Sequence, residues 1–466
     1  MQTPLLNALQ DYMGSPAVPF HTPGHKLGAG IPDAIAFLKE AYRRDLPDLP
    51  GFDLFDRSGI LGASQAEAAR VYGADRSWYL VNGSTCGVIA ALLATCGPGD
   101  RVLLPRNVHR SAISGVILAG LDPVFVLPEY DGVRDIMHPP TVGAIERSMA
   151  ETPDIKAVLI VSPSYHGVCA EIRAIAKHVH SCGSCLIVDE AHGAHFGFHP
   201  GLPRSAIALG ADLVVQSTHK TLGAMTQAAM LHLRGSRVDG DRVTQALQML
   251  QSSSPSLLLL ASLEAATHQM ATQGVGLMEG ALGLADRARR GLAGVPGIEV
   301  LAHDRLDPTR LTIFTAGLGL SGFALDELLS GTFGITAELP MAQHLTFILT
   351  FGNTASQIDR LVAAMAEIRP EEVLPLTLPF SLAIDRVMSL RSAFFAESCS
   401  VPVGEAVGRV CAELVCPYPP GIPVLMPGER VTGGAIDYLR GVIESGGYLS
   451  GCADESLGRL RVVSGV

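Results

Sequence analysis

The sequence predicts an α/β protein with a mostly parallel, doubly wound central sheet. From Trp78 to about residue 235, short apolar runs alternate with Ala-rich helical stretches. Runs such as "RVLLP", "KAVLIVSP", "CLIVDEAH" and "DLVVQS" have no polar face, as expected of parallel strands that are buried on both faces. The composition, 48% hydrophobic and 17% charged, is typical of a globular α/β protein and argues against a disordered chain.

The same patterns divide the chain into four parts. Residues 1–75 are predicted to form an N-terminal arm with helices, and residues 76–294 to form a large domain that contains the sheet. After a long helical stretch, "RLTIFTAG", "GITAEL", "HLTFILTFG" and the helical "TASQIDRLVAAMAEI" predict a small α+β domain over 295–370. The Pro-rich "IRPEEVLPLTLPF" is interpreted as a linker into a C-terminal domain, 371–466.

Charge and cysteine content restrict the partners and the compartment. The net charge is -11, with 45 acidic and 34 basic residues spread along the chain, which argues against nucleic acid or an anionic membrane as a partner. The N-terminal segment has no basic n-region, and "SLLLLASLEAA" is too short to span a bilayer. Nine irregularly spaced cysteines are typical of reduced thiols. We therefore predict a cytoplasmic protein.

Two groups of side chains have the residue types of a metal site. They are His178, His180, Cys182 and Cys185 in "KHVHSCGSC", and His192, His195 and His199 in "HGAHFGFHP". No second Cys pair follows the first group, and its segment has the pattern of a helix end, a Gly turn and a strand start. We predict no metal, and a metalloenzyme is an alternative that metal analysis would test.

Polar residues follow several of the predicted strands, at the edge of the sheet where ligands of open parallel sheets bind. After "WYLV", Gly83, Ser84 and Thr85 open a helix and could form an anion site, although this motif taken alone favours an ordinary N-cap. After "CLIV" come Asp189 and Glu190. An aspartate at the end of a buried strand needs a cation or a hydrogen-bond donor to offset its desolvation.

A lysine follows the next apolar run. "DLVVQ" leads directly into Ser217, His219 and Lys220, and a lysine is seldom buried without a partner or a chemical role. Three strand ends thus supply an anion cradle, a carboxylate and a lysine, which are what pyridoxal 5'-phosphate (PLP) requires for its phosphate, its pyridine nitrogen and its aldehyde. The sequence therefore predicts a PLP enzyme.

Longer motifs extend over nearly the whole chain. They include "FHTPGHKLG", "DLPDLPGFDLF", "ADRSWYLVNGSTCGV", "PRNVHRS", "VSPSYHGV", "VDEAHGAHFGF", "QSTHKTLGAMTQ", "SSSPSLLLLAS" and "YPPGIPVLMPGE". With these motifs the chain resembles the Orn/Lys/Arg decarboxylases, in their shorter form. The resemblance implies the aspartate-aminotransferase fold, which is PLP-dependent fold type I, with a C-terminal Orn/Lys/Arg decarboxylase domain.

The resemblance also implies roles for individual residues. Lys220 would form the Schiff base with PLP, Asp189 would pair with the pyridine nitrogen, and His109 would stack on the ring; these three are the predicted catalytic residues. The predicted phosphate ligands are Ser84, Thr85, Ser217 and His219. The spacing alone leaves His109 as a loop histidine near a helix start. The family further implies a homodimer or higher homo-oligomer in which "HTPGHK" lies near the active site.

The implied reaction is the decarboxylation of a basic L-amino acid to an amine and CO2. Arginine or lysine is expected as substrate ahead of ornithine, and the short form favours polyamine biosynthesis over acid resistance. Glu338, in "GITAELP", is the candidate partner of the substrate's distal cation, and an ordinary surface glutamate is the alternative. Aminotransferases of this fold typically bind the substrate α-carboxylate with an arginine of the small domain. "HLTFILTFG" contains no such arginine.

Three other functions stay open. An aminotransferase or an acyl-CoA-dependent synthase of the same fold would also carry "DEAHG", but it would not release CO2 from a basic amino acid. A non-catalytic relative is the second, and the metalloenzyme is the third. The presence of both Asp189 and Lys220 argues against a non-catalytic protein, because both residues serve cofactor chemistry.

Overall fold

The computed structural model describes residues 1–14, 18–46, 52–369, 385–418 and 421–465. The predicted linker lies outside these residues from residue 370 onward, and so does the predicted boundary between the third and fourth parts. The four-part division of the chain stays a prediction. Within the described ranges, no helix combines the length and the apolar character needed to cross a membrane.

The strands of the described residues are named here in chain order. They are β1 (Arg76–Leu80), β2 (Arg101–Pro105), β3 (Asp122–Val126), β4 (Tyr130–Asp131), β5 (Ile136–Met137), β6 (Ile155–Val161), β7 (Cys185–Asp189), β8 (Leu213–Gln216), β9 (Ala229–Leu233), β10 (Glu299–Val300), β11 (Arg310–Phe314), β12 (Leu339–Pro340), β13 (His344–Ile348), β14 (Ser398–Pro402), β15 (Cys416–Tyr418), β16 (Tyr448–Ser450) and β17 (Arg459–Val463).

The α-helices are named in the same way. They are α1 (Pro4–Met13), α2 (Lys39–Tyr42), α3 (Ile60–Tyr72), α4 (Gly83–Thr95), α5 (Arg110–Ala119), α6 (Val142–Glu151), α7 (Ile172–Ser181), α8 (Ala206–Leu209), α9 (Thr218–Thr221), α10 (Gly240–Leu250), α11 (Leu257–Leu292), α12 (Gly322–Leu328), α13 (Ala355–Glu367), α14 (Leu390–Phe395), α15 (Val403–Ala406) and α16 (Gly433–Glu444). Short helical segments of other types lie at Asp33–Leu38, Ala316–Leu318 and Leu329–Phe333.

The predicted central sheet is confirmed. Seven strands lie in the order β1-β9-β8-β7-β6-β2-β3. Strands β8, β7, β6, β2 and β3 pair in parallel, whereas β9 runs antiparallel to both of its neighbours. Each apolar run between Trp78 and residue 235 that the sequence assigned to a strand is a strand. The chain order reverses between β6 and β2, which is the place where doubly wound sheets bind their ligands.

Both faces of the sheet are covered, which explains why its strands have no polar face. Leu104, Leu159, Ile187 and Val215 belong to a buried cluster that also contains residues of α4, α5 and α10. Their neighbours in sequence point the other way, into a second cluster formed with α6, α7 and α8. Because successive side chains of a strand alternate between faces, two helical layers leave no polar position in the strand interior.

A second, smaller sheet follows the 36-residue helix α11. Its strands lie in the order β10-β11-β13-β12 and pair antiparallel. Residues of α11, α12 and α13 pack on it around Ile313 and Leu345. The predicted strands "RLTIFTAG" and "HLTFILTFG" are confirmed as β11 and β13. The predicted strand in "GITAEL" is reduced to β12, which starts only at Leu339, since the preceding residues are largely exposed.

Residues 385–418 and 421–465 form a unit around two antiparallel strand pairs, β14 with β17 and β15 with β16. Arg106, just after β2, ties this unit to the central sheet. Its guanidinium is 2% exposed, and Nη2 lies 3.1 Å from Oε2 of Glu429 and 3.0 Å from the carbonyl oxygen of Val424. A buried arginine is tolerated only with such partners, so this contact fixes residues 421–426 against the carboxyl edge of the sheet.

Candidate active site

One cavity opens at the carboxyl edge of the central sheet. Four of the predicted site residues line it, namely Ser84, His109, Asp189 and Lys220. Its opposite wall comes from the C-terminal unit, through residues such as Ile422. The empty volume is about 1170 Å³ when counted out to the open mouth, with the solvent there included.

The start of α4 offers donors to an anion. Its N-cap, Asn82, makes no side-chain hydrogen bond to the first turn, so the N–H groups that open the helix lack a side-chain cap. Gly83 has a φ of +70°, a left-handed conformation that favours glycine and lets the chain turn from β1 into the helix. Ser217 donates from Oγ to Oγ of Ser84 over 2.9 Å, which brings a second hydroxyl to the same place.

The other two predicted phosphate ligands lie beside this point without lining the cavity. Thr85 is exposed in the first turn of α4. His219 is partly exposed, and its Nδ1 lies 2.8 Å from the carbonyl oxygen of Ala228. The carbonyl is an acceptor, so Nδ1 carries the proton and Nε2 is left as the acceptor.

Asp189 ends β7 and is 6% exposed. One carboxylate oxygen, Oδ1, accepts a hydrogen bond from the backbone N–H of Ala191 at 3.1 Å. Burial raises the pKa of Asp189 above the ordinary value. A cationic or N–H donor placed in the cavity would therefore stabilise its charged form.

The next acid along the chain, Glu190, points away from the cavity. Its carboxylate accepts from the backbone N–H of Ala206 at 2.7 Å and from the side chains of Ser205 and Gln216. Burial raises the pKa of Glu190 to about 7. The two acids of "DEAHG" thus separate into one that faces the cavity and one that holds the start of α8.

Lys220 lies in α9, and its Nζ is 3.0 Å from Nε2 of His192. On the other side of the ring, Nη2 of Arg310 is 2.9 Å from Nδ1 of His192. A guanidinium only donates, so Nδ1 accepts and the ring proton belongs on Nε2. The amine of Lys220 is then the acceptor of the Nε2–H, which requires an unprotonated amine.

The electrostatic environment agrees with this assignment. Burial lowers the pKa of Lys220 from its ordinary value, and the charge of Arg310 adds to the lowering while Asp189 opposes it. Burial also holds the pKa of His192 well below its ordinary value, which keeps the imidazole neutral. A neutral buried lysine is the form that attacks a carbonyl carbon.

Arg310 is 1% exposed and opens β11 of the smaller sheet. Behind it lies a buried acid, Asp307, whose Oδ2 is 3.1 Å from Nε2 of His195. The charges of His195 and Arg310 hold the pKa of Asp307 below its ordinary value against the effect of burial. Arg310, a residue of the smaller sheet, therefore holds the ring of His192, and His192 contacts Lys220 beside the central sheet.

The histidines of "HGAHFGFHP" have separate partners. His192 lies between Arg310 and Lys220, His195 contacts Asp307, and His199 lies 2.7 Å from Oε2 of Glu279.

In "KHVHSCGSC", His180 contacts Asp212 at 2.8 Å, and Cys185 is buried in the core. In the ranges that the structure describes, no three His, Cys, Asp or Glu side chains converge as metal ligands would. The histidines of the two segments thus have separate hydrogen-bonding partners, and Cys185 belongs to the core.

His109 caps a helix and also faces the cavity, while its predicted stacking on PLP stays a prediction. It is the N-cap of α5, where Nδ1 accepts from the backbone N–H of Ser111 at 3.2 Å. Its ring also lines the cavity. Burial lowers the pKa of His109 to about 4, so the imidazole is neutral, and a neutral ring is suited to stack on another aromatic ring.

Glu338 immediately precedes β12 and is exposed. It does not line the cavity, although the next residue, Leu339, does. Its charge nevertheless acts on the pKa of Lys220 and on that of Arg310. The structure therefore places Glu338 at the outer edge of the site.

Several site residues were not found from the sequence. Tyr165 packs its ring 4.3 Å from that of His192 and lines the cavity, as does Asp135. The signal for Arg310 was present: a charged residue at the start of the buried run "RLTIF" raises the same question as Lys220. His192 was considered only as a metal ligand.

Comparisons with known proteins identify the family of this chain. Residues 3–303 match the family described as Orn/Lys/Arg decarboxylase, major domain, and residues 384–461 match its C-terminal domain. An arginine decarboxylase of Bacillus subtilis is 37% identical over 99% of this chain and 98% of that protein. A lysine decarboxylase of Pseudomonas aeruginosa, LdcA, is 25% identical over 94% of this chain and 75% of that protein.

The fold is shared with a solved structure. The crystal structure of the Francisella novicida lysine decarboxylase LdcF matches with a TM-score of 0.85 at 21% identity, over 99% of this chain and 80% of the other. The predicted α/β fold class, fold type I of the PLP-dependent enzymes, is confirmed. With both family matches covering most of its length, the chain belongs to the Orn/Lys/Arg decarboxylase family.

Proposed function

We propose that this protein is a PLP-dependent carboxy-lyase that converts a basic L-amino acid, arginine before lysine and ornithine, into the corresponding amine and CO2. The observation that carries the proposal is the arrangement around Lys220. Its amine is held as a hydrogen-bond acceptor by His192 and shares one cavity with the buried carboxylate of Asp189.

The residues of the cavity fit PLP. The uncapped start of α4, with the hydroxyls of Ser84 and Ser217, suits the phosphate, and Thr85 and His219 lie beside them. Asp189 suits the pyridine nitrogen, because the backbone N–H of Ala191 donates to one of its carboxylate oxygens, Oδ1, and a carboxylate can accept a further charge-assisted hydrogen bond. Lys220 suits the aldehyde carbon, and the neutral ring of His109 suits a face of the cofactor.

Bound PLP supplies an electron sink for the electron pair that remains at Cα when CO2 leaves. The protein supplies the rest. Asp189 holds a proton on the pyridine nitrogen through a charge-assisted hydrogen bond. His192 and Arg310 hold Lys220 unprotonated and in position. The apolar walls, for example Val161 and Leu339, exclude water.

The cavity does not stabilise the group that must leave. Among the described residues that line it, none is an arginine, because Arg310 is buried behind His192. Stabilising the α-carboxylate in the ground state would lower KM without raising kcat. This absence distinguishes the site from that expected of an aminotransferase, which retains its carboxylate.

Arginine is favoured as the substrate by the relatives. The B. subtilis arginine decarboxylase matches this chain along almost its full length at 37% identity, whereas the P. aeruginosa lysine decarboxylase is 25% identical and extends beyond the match. Glu338 is proposed to attract the substrate's distal cation at the outer edge of the site, since its charge acts on Lys220 and Arg310.

The protein is proposed to act as a cytoplasmic homodimer or larger homo-oligomer in polyamine biosynthesis. Support for the oligomer comes from the N-terminal arm, where Phe20 and Phe37 are 92% and 81% exposed in a single chain. Exposed rings of this size, close together in sequence, are typical of a surface that a partner covers.

A panel assay tests the proposed reaction. The protein is incubated with PLP and, in turn, with carboxyl-labelled arginine, lysine, ornithine, glutamate and a neutral amino acid. We expect CO2 from arginine or lysine, slower release from ornithine, and essentially none from the other two. Release from glutamate alone, or formation of a keto acid without CO2, would overturn the proposal in favour of a transferase of the same fold.

A further inference from the structure

A second buried carboxylate lines the cavity that contains Lys220 and Asp189. Asp135 directly precedes β5 and is 9% exposed. Its φ is +53°, in the left-handed region that aspartate and asparagine tolerate better than most residues. The backbone conformation presents this carboxylate to a cavity whose other acid, Asp189, is committed to the cofactor.

Asp135 is stabilised by a neutral partner. The hydroxyl of Tyr130 donates to Oδ1 at 2.8 Å. Across the described ranges, no lysine, arginine or histidine side chain lies within ion-pair distance of this carboxylate. Burial raises the pKa of Asp135 to about 6, and the hydrogen bond from Tyr130 only partly offsets this effect. A buried carboxylate without a cation is costly, so a cation that enters the cavity would be stabilised beside it.

The wall around Asp135 is suited to an aliphatic chain. Met137, Pro139 and Met341 line the same cavity, and apolar side chains of this kind pack well against the methylene groups of a long basic side chain. A basic amino acid has an amine at Cα and a cation at the far end of a methylene chain. Lys220 and Asp189 serve the end of the substrate that carries the Cα amine. Asp135, the other buried acid among the described lining residues, is available for the distal cation.

We propose that Asp135 is a specificity-determining residue that binds the distal guanidinium of the substrate within the cavity, an inference that rests on the proposed function. Glu338 differs from it in position, because it is exposed and does not line the cavity. A desolvated carboxylate binds and selects a guanidinium more strongly than an exposed one, which water and salt screen. Asp135 therefore determines the preference for a substrate with a distal cation. Glu338, which lies outside the cavity, only adds a screened attraction for that cation.

The test uses Asp135→Asn in the PLP-loaded enzyme. Asparagine keeps the shape of the side chain and tolerates the same φ, so the fold is retained. We expect KM for arginine to rise about 10- to 100-fold, as for the loss of a hydrogen bond between charged groups, while kcat changes less. The visible spectrum of bound PLP and the melting temperature should equal those of the wild type.

Selectivity provides a readout that a structural role would not change. Citrulline has a neutral ureido group in place of the guanidinium. The wild type should prefer arginine strongly, and Asp135→Asn should reduce the ratio of kcat/KM for arginine to that for citrulline by about 10-fold or more. Binding of agmatine, which has no carboxylate to lose, should weaken by a similar factor in a direct titration.

Two matched variants complete the experiment. Glu338→Gln removes the exposed carboxylate, whose attraction water and salt screen, and should lower the ratio less than Asp135→Asn does. Tyr130→Phe removes the hydrogen bond to Asp135 and should give a ratio between those of the wild type and Asp135→Asn. The inference would be overturned if Asp135→Asn left the ratio of kcat/KM for arginine to that for citrulline unchanged. It would also be overturned if only Glu338→Gln lowered this ratio. If the wild type releases no CO2 from any basic amino acid, the proposed function itself fails, and the titration with agmatine still reports on Asp135.

Discussion

Arg310 donates a hydrogen bond from Nη2 to Nδ1 of His192 over 2.9 Å, and this bond determines which nitrogen of His192 carries the proton. The other nitrogen, Nε2, lies 3.0 Å from Nζ of Lys220. The protonation state of the lysine is thereby linked to a residue of the smaller sheet, which does not line the cavity.

Replacing Arg310 should change the titration of Lys220. In Arg310→Met the positive charge and the donor to His192 are both lost, so the pKa of Lys220 should rise. The unprotonated amine then predominates only at higher pH. Covalent attachment of PLP to the apoenzyme, followed by visible absorbance as a function of pH, should show its midpoint moved to higher pH.

The conservative variant Arg310→Lys keeps the positive charge, so its midpoint should lie between those of Arg310→Met and the wild type. Melting temperatures of both variants control for a general loss of packing, because Arg310 is 1% exposed. An Arg310→Met enzyme that is folded and has the pH profile of the wild type would show that Arg310 does not act on the lysine.

Lys220→Ala should give a folded protein without turnover. The alanine cannot attach PLP covalently, so sodium borohydride should fix no cofactor to the chain. Absorbance and mass spectrometry after reduction check this result. A variant that still fixes PLP and retains normal activity would assign the role to a different lysine.

Asp189→Asn should bind PLP but turn over slowly. Asparagine keeps the shape of the side chain but lacks the charge that holds a proton on the pyridine nitrogen. We expect kcat to fall by about 100-fold or more, since one pKa unit corresponds to about 1.4 kcal/mol and the charged bond contributes several units. Cofactor content, measured after gel filtration, should stay close to that of the wild type. Near-normal turnover would contradict the role of Asp189.

Breaking the buried pair between Arg106 and Glu429 should destabilise the protein. Their side chains are 2% and 5% exposed and lie 3.1 Å apart. Glu429→Gln leaves the guanidinium of Arg106 without a compensating charge, and the loss is expected to be about 3–5 kcal/mol in the free energy of unfolding. Urea unfolding followed by circular dichroism measures it. The exposed pair of Arg287 and Asp359 is the control, and Asp359→Asn should shift the midpoint much less.

The N-terminal arm should be part of a subunit interface. Phe20→Asp together with Phe37→Asp is expected to convert an oligomer into monomers with lower activity, because charges disfavour the burial of this surface. Met249→Asp, on α10 and 73% exposed, is the control for a change elsewhere on the surface. Sedimentation velocity at the assay concentration decides the question, and an active wild-type monomer would exclude a shared active site.

The central sheet and the positions of Lys220 and Asp189 were predictable from the sequence. Uninterrupted apolar runs identify strands that are buried on both faces, and the residues after such runs lie at one edge of the sheet. The contact between Arg310 and His192 was not predictable, since it joins two sheets across 118 positions of the chain. Asp135 was missed because a charged turn such as "DGVRD" normally indicates solvent exposure.

The contact of Arg106 with the C-terminal unit has a consequence for synthesis. The ribosome completes the sheet and releases Lys220 long before residues 421–426, which supply a wall of the cavity. Until those residues emerge, the amine faces water on that side and Arg106 lacks its carboxylate. In a chain that has emerged only that far, the amine of Lys220 therefore has no protein wall on one side, and the cavity closes only once the C-terminal unit has been made.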